Sequence, residues 1–356
     1  MTTEDGQVRI GIVGLGNIGS YHAEFLREVE AAELVAGLDV DATARRTFAE
    51  EFDVETYEDR ADLFSVVDAV IVTTPNRFHE EYAVGALEAG LDVLLEKPLA
   101  HTVESAERIA EAARDADGIC MVGFNNRFAN PVEVLKHDLR AGRYGDVTHV
   151  EANYVRQRGI PGRGSWFTSK EVAGGGALID IGVHAIDLAL YFLDFPEVVE
   201  VSGTTRAEFG GREDYAYLRQ WGADEGPGGF DVEDSASAFI RCADGETVSL
   251  EVAWATNRPD SDEFVIRGTE AGATLDRNDH ELTVYEAGVG GANHLSTTSV
   301  ETRESVPHRD EQRAFVRAVR EGTLDRNTVD QALSVQRVID AIYRSSAEGR
   351  AVRLDE

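Results

Sequence analysis

Two groups of side chains in this 356-residue chain have types and spacings that can do chemistry. One is Glu96-Lys97-Pro98, an acid, a base and a ring that follow the apolar run Val93-Leu94-Leu95. The other is Asp180, His184 and Asp187, which fall at i, i+4 and i+7 and share one face if Ala177 to Leu193 is helical. The remaining positions of that stretch are apolar, so the helix is expected to be buried. Buried polar groups need partners or a task. Three readings of this face stay open: a structural Asp–His pair locked by hydrogen bonds, two ligands of a metal ion, or an acid–base pair working through His184. On the face alone the structural reading comes first. The metal reading lacks a third ligand at matching spacing, so no metal is expected. A lysine ammonium can stabilise charge that develops on a reacting oxygen, and an imidazole can take a proton near neutral pH.

A third pattern supplies context for the lysine. Val8 to Val13 reads as a short apolar strand, Gly14-Leu15-Gly16-Asn17-Ile18-Gly19 follows at once, and Ser20 to Glu30 is helix-like. Gly14 permits a tight turn, Gly16 lets the backbone approach a pyrophosphate, and Gly19 allows helix and strand to pack closely. The helix N-terminus then offers N–H groups to the phosphates. Asp39 ends the next strand, Leu34 to Leu38, twenty residues after Gly19. A carboxylate there accepts hydrogen bonds from the adenosine ribose and repels a 2′-phosphate, so NAD is expected ahead of NADP. Arg45 and Arg46 lie nearby and are read as solvent-facing helix positions.

The elements that must position these groups alternate. Asp68 to Thr73 is a buried strand ended by Thr74-Pro75-Asn76, and His79 opens the next helix. Thr73, Pro75 and Asn76 are expected to line the cofactor at the sheet's carboxyl edge. A cofactor or structural role is assigned to that loop ahead of any catalysis by His79. Glu81 to Ala89 is helical with Gly90 as its cap, Thr102 caps a helix through Ala113, and Ile119 to Gly123 is a last strand. Strands alternating with helices over this length make a doubly wound parallel sheet, with ligands at its carboxyl edge.

Beyond a helix from Pro131 to Ala141 the pattern changes. Val147 to Val155 alternates as a half-exposed strand, so the architecture is expected to turn antiparallel here. Arg156, Arg158, Arg163 and Trp166 lie on a glycine-containing loop that can bind hydroxyls or anions. Strands are expected at 198–209, 235–242, 247–254, 263–267, 273–276 and 282–286, with a hairpin turn at Ala243-Asp244-Gly245. Residues 210–230 read as an exposed loop. Amphipathic helices at 309–320 and 329–344 close the chain, and His308 reads as a surface residue.

Composition bounds the partners. Acids outnumber bases 66 to 34, for a formal net charge of -32. That argues against nucleic-acid backbones and anionic membranes, which need a basic face. Lys97, Lys136 and Lys170 are the only lysines. High acid with scarce lysine suggests a halophilic protein kept soluble in strong salt. Cys120 and Cys242 sit in apolar runs and read as buried small hydrophobes. Residues 1–6 show no basic region followed by an apolar run, and Ala177 to Phe195 carries too many acids for a membrane span. A cytoplasmic location is expected.

The order and spacing of these motifs resemble the glucose–fructose oxidoreductase and inositol 2-dehydrogenase (Gfo/Idh/MocA) family. The resemblance rests on Gly14 to Gly19, Thr74-Pro75-Asn76 with His79, Ala86 to Gly90, Glu96-Lys97-Pro98 and Val122 to Phe128. In the second half it rests on Gly174 to Asp187 and Asp231 to Ala236. It implies an N-terminal Rossmann domain, 1–125, and an α+β domain, 126–356, with a large, mostly antiparallel open sheet. The C-terminal helices are free to pack back on the first domain. It further implies NAD(P)-dependent hydride transfer on a sugar, polyol or inositol-like alcohol or hemiacetal, and a homodimer or homotetramer paired through the C-terminal sheet. Lys97, Asp180 and His184 match the family's catalytic set, which moves the acid–base reading of His184 ahead of the structural one. Asn17, Ile18, His79, Glu96, Lys97 and Asn126 join the expected cofactor-binding residues, and Arg156, Arg163 and Trp166 join Asp180 and His184 on the substrate side. Two alternatives remain: NAD-assisted glycoside cleavage on the same fold, or a non-catalytic NAD-sensing regulator.

Overall fold

The computed structural model describes residues 6–218 and 222–354. The expectation for the extreme amino terminus, and residues 219–221 of the expected loop, lie outside the described residues. The chain divides into two compact units. The first holds residues 1–128 and 306–336, and the second holds 129–305 and 337–356. The boundary therefore falls at 128/129 instead of 125/126, and the first unit takes back a late stretch of chain.

In the first unit, β1 (Val8–Val13), α1 (Asn17–Leu26), β2 (Ala32–Leu38), α2 (Ala42–Phe52), β3 (Glu55–Tyr57), α3 (Arg60–Phe64) and β4 (Ala69–Val72) lead in. Then come α4 (His79–Glu88), β5 (Asp92–Leu95), α5 (Val103–Asp115) and β6 (Cys120–Val122). The six strands form one parallel sheet in the order β3-β2-β1-β4-β5-β6. The order reverses beside β1, and the crevice at such a switch point is where ligands bind. Strands β4 and β5 are apolar runs because helices cover both faces, and Val70, Ile71, Val93 and Leu94 are fully buried. Thr102 caps α5 as expected, accepting from the Ser105 N–H at 3.2 Å. Phe315 and Val316, from the returning stretch, sit in the same core cluster as Ile10, Phe48 and Met121.

The second unit begins with α6 (Asn130–Arg140), β7 (Val147–Val155), α7 (Lys170–Ala173), a single π-turn (Leu178–Gly182) and α8 (Val183–Phe192). It continues through β8 (Val198–Arg206), β9 (Ser235–Cys242), β10 (Thr247–Ala253), β11 (Ser261–Gly268), β12 (Ala271–Asp276), β13 (Glu281–Gly288) and β14 (His294–Val300). Helix α9 (Pro307–Glu321) belongs to the first unit, the chain passes from the first unit to the second within α10 (Val329–Glu348), and β15 (Val352–Arg353) ends the second. The nine strands run β14-β13-β12-β11-β7-β10-β9-β8-β15. Every pairing is antiparallel except one: β7 runs parallel to β10. The expected turn to antiparallel structure thus holds for β7 on its β11 side only.

Val150, Ala152, Val248, Leu250, Phe264 and Ile266 point to the buried face of this sheet, and Phe192 of α8 meets Phe264 there edge-to-face. The stretch Lys170–Phe192 is long and apolar enough to cross a membrane by length and composition, but 83 % of its most apolar window is buried inside the fold. It is a core helix. Cys120 and Cys242 are both buried free thiols.

Candidate active site

Each unit holds candidate site residues of its own. In the first, the loop between β1 and α1 has a shape that three glycines dictate. Gly14 takes φ +94°, and a Cβ there would press on the backbone of Thr73 and Thr74 at 2.9 Å. A Cβ on Gly19 would collide with the Gly14 carbonyl oxygen, whereas one on Gly16 would meet nothing within 4 Å. Two glycines therefore close the turn, and the third leaves an open approach to backbone. No side chain caps α1, so its first N–H groups face that approach, with Asn17 and Ile18 exposed beside it. This is the arrangement that binds a pyrophosphate.

Asp39 completes the cradle. One carboxylate oxygen accepts the Leu15 N–H and the other the Asp41 N–H, both at 2.8 Å. A carboxylate has about four acceptor positions, so two remain for ribose hydroxyls. Arg45 is not solvent-facing as expected. It donates to the Asp39 carbonyl at 2.6 Å and to Glu58 at 2.9 Å, and so braces the strand end, while Arg46 is exposed. These residues fit a dinucleotide without a 2′-phosphate.

The loop after β4 lies next to this cradle. The Thr73 hydroxyl donates to the carbonyls of Val13 and Gly14, so it pins the glycine loop. Pro75 is half-buried and Asn76 and Asn126 are buried. His79 is 1 % exposed, and its ring nitrogens lie 2.9 Å from the Pro98 and Thr74 carbonyls. Its ring staples two loops together, which is the structural part of the role expected for this segment.

Glu96 and Lys97 follow β5, with Lys97–Pro98 in the cis form. Glu96 Oε2 accepts the Lys97 backbone N–H at 3.0 Å, and Oε1 lies 2.7 Å from Nε2 of the fully buried His22. Burial acts to raise the Glu96 carboxyl, but the His22 hydrogen bond and nearby positive charge outweigh it and hold it down to about 2. His308 packs edge-on to Tyr21 and His22, and its Nδ1 is 3.2 Å from the Asn125 amide. It is not a surface residue: burial pushes its imidazole down to about 4, against the opposing pull of Glu96.

In the second unit, Asp180 lies in the π-turn and His184 in the first turn of α8. Such bulges re-aim side chains and are frequent at functional sites. Asp180 and His184 are half-buried on a helix whose neighbouring apolar positions are buried, so they mark its one accessible polar edge. Asp187 is fully buried. The indole N–H of Trp254, itself 0 % exposed, donates to Asp180 Oδ2 at 2.9 Å and fixes that carboxylate. The start of the helix is gripped by Glu233, which accepts the N–H groups of Gly176 and Leu178 and the Tyr343 hydroxyl. Gly176 must be glycine because a Cβ there would run into the Glu233 carbonyl oxygen.

Of the arginines expected near substrate, Arg156 donates to the Tyr154 hydroxyl at 2.9 Å and lies within the electrostatic reach of Asp180. Arg163 is engaged elsewhere. It is 3 % exposed, paired with Asp224 at 2.7 Å and bonded to the carbonyls of Gly210 and Arg212. It anchors the 210–230 segment, which is not the plain exposed loop expected: Tyr215 from it is buried in a core cluster with Trp254. Trp166 is half-buried, its ring 3.7 Å from that of Phe167. Among the described residues no group of three metal-ligating side chains occurs.

His22, Gln312, Trp254 and Glu233 were not singled out from sequence. Glu233 stood inside a motif, but the other three sit in apolar or amphipathic runs that give no local sign of a polar task.

Comparison with known proteins adds to this geometry. Residues 8–124 match the oxidoreductase family with an NAD-binding Rossmann fold, and residues 132–274 match the GFO/IDH/MocA C-terminal domain. The D-glucoside 3-dehydrogenase of Escherichia coli (strain K12) is 30 % identical over 98 % of this chain and 97 % of its own length. The scyllo-inositol 2-dehydrogenase (NADP+) of Bacillus subtilis (strain 168) is 25 % identical over 98 % of this chain and 96 % of its own. A solved levoglucosan dehydrogenase, in complex with NADH and L-sorbose, superposes with a TM-score of 0.85 over 98 % of this chain and 99 % of that one, at 24 % identity. That last likeness speaks to the fold.

Proposed function

The chain belongs to the Gfo/Idh/MocA oxidoreductase family, and from that premise we infer how its residues work. It is an NAD(P)-dependent dehydrogenase acting on CH–OH groups of sugars or polyols. Gly14, Gly16, Asn17, Ile18, Gly19 and Asp39 hold NAD, with the pyrophosphate at the α1 N-terminus and the ribose hydroxyls on Asp39. When bound, the nicotinamide supplies the carbon that accepts hydride. His184 takes the hydroxyl proton as the carbon–hydrogen bond breaks. Asp180 orients the imidazole and stabilises its cationic form, and Trp254 orients Asp180. Lys97 hydrogen-bonds the reacting oxygen and stabilises developing alkoxide charge. Arg156 and Trp166 contact the sugar.

One observation carries this reading: Asp180 and His184 are the accessible polar edge of an otherwise buried helix, and an indole N–H fixes the carboxylate. A purely structural pair would be enclosed, as Asp187 is. Asp39 and the engaged Arg45 favour NAD, although the Bacillus relative is named for NADP+. The Escherichia relative directs the substrate toward a pyranoside oxidised at a ring secondary alcohol. We further read the protein as soluble, cytoplasmic and adapted to salt. The test is a screen of aldoses, glucosides, polyols and inositols with NAD and with NADP in molar KCl. Stoichiometric NADH formation from a glucoside or related pyranose is expected. Cleavage of a glycoside without net NADH, or no turnover of any of these alcohols, would overturn the reading.

A further inference from the structure

A buried chain of hydrogen bonds in the first unit takes no part in the steps above. The Gln312 side-chain amide nitrogen, on α9, lies 3.0 Å from the His22 carbonyl oxygen and 2.9 Å from His22 Nδ1. A carbonyl only accepts, so this atom is the NH₂ end of the amide, and Nδ1 must then be an acceptor too. His22 therefore carries its proton on Nε2 and donates it to Glu96 Oε1 at 2.7 Å. The other Glu96 oxygen receives the Lys97 backbone N–H at 3.0 Å. His22 and Gln312 are both 0 % exposed, so that end of the chain is shielded from water, while the Glu96 side chain is 12 % exposed. A glutamine fixes a tautomer, the tautomer fixes a carboxylate, and the carboxylate fixes the backbone at the lysine.

We propose that His22 and Gln312 are positioning residues for Lys97, acting through Glu96 without touching substrate or cofactor. This rests on the reading of Lys97 given above. The arrangement keeps a single negative charge in one place beneath the lysine and leaves the His22 ring no second tautomer that satisfies both neighbours. The low-lying Glu96 carboxyl agrees with that permanent charge.

The test uses the full chain with NAD and a turned-over sugar. Single-turnover hydride transfer, NAD affinity and thermal melting are measured for His22→Leu, His22→Gln, Gln312→Leu and Lys97→Ala. His22→Leu should slow hydride transfer by about 10- to 100-fold, the scale of a small misplacement of a reacting group, with NAD affinity unchanged. His22→Gln should recover most of that loss, because its amide nitrogen can donate to Glu96 from the Nε2 position. Gln312→Leu should cost less than His22→Leu, and it serves in its place if His22→Leu does not fold. A folded His22→Leu or Gln312→Leu with normal hydride transfer, or a His22→Gln as slow as His22→Leu, overturns the positioning role while leaving Lys97 intact. A Lys97→Ala of normal rate instead overturns the reading of Lys97, and the proposal with it.

Discussion

At the scale of single residues, the proton-transfer set makes the sharpest prediction. His184→Ala should lose on the order of 10²–10⁴-fold in single-turnover rate with NAD still bound. Asp180→Asn should cost less, since the amide oxygen can still accept from the Trp254 indole. The double change should be far from additive, because the two act as one unit. A folded His184→Ala with a near-normal rate would sink the assignment. A second expectation concerns acid. The His308 imidazole lies near 4 in the fold, below its ordinary 6.5, so the unfolded chain binds its proton first. That group costs nothing above pH 6.5 and progressively destabilises as pH falls toward 4, by about 3 kcal/mol in total. Glu96, lowered from 4.5 to about 2, contributes stability that is lost over that lower window. Melting temperature should therefore begin to fall below pH 6.5, and His308→Gln should flatten the upper part of the curve. An unchanged curve in that variant would assign the acid sensitivity elsewhere. Lys97, Asp39 and the Asp180–His184 spacing were legible because each sits in a short motif. Trp254 and Gln312 were not, because their partners lie 74 and 290 residues away in the chain.

At the scale of elements, buried runs and caps read well and edges read poorly. β4, β5 and the Thr102 cap declare themselves by composition. β14, His294–Val300, was missed because it pairs only with β13 at the sheet's edge, and its mostly exposed serines and threonines show no apolar alternation. The parallel pairing of β7 with β10 could not be read either, since alternation reports which face is wet and not which way a neighbour runs. The π-turn at Leu178–Gly182 is likewise invisible to a helical period. Its position depends on Glu233, which holds two N–H groups at the helix start and the Tyr343 hydroxyl. Glu233→Ala should destabilise the protein by about 3 kcal/mol by leaving buried donors without an acceptor. It should also lower the hydride-transfer rate of whatever remains folded, because Asp180 begins one turn later. Chemical denaturation beside single-turnover kinetics checks both, and loss of stability with a normal rate would reduce Glu233 to a fold brace.

At the scale of the whole molecule, charge and surface make two further predictions. A net charge of -32 with three lysines should make the melting temperature rise from low to molar KCl, and a flat or falling trend would count against salt adaptation. The face of the nine-stranded sheet opposite α8 carries Phe239 and Tyr285, 38 % and 46 % exposed. Pairing of two copies across it should give a dimer or tetramer by light scattering at micromolar concentration, and a monomer would refute it. The doubly wound half of this architecture is plain in the sequence, but no local pattern marks the return of residues 306–336 to the first unit. That return bears on how the protein is made. A ribosome delivers Gln312, Phe315 and Val316 only after strands β7 to β14 of the second unit have been made. Until then the nascent Rossmann unit lacks part of its core and His22 lacks the partner that sets its tautomer. A nascent chain stalled at residue 305 should therefore hold a nucleotide fold that is begun but not closed, and the enzyme should acquire its cofactor only after residues 306–336 have been made.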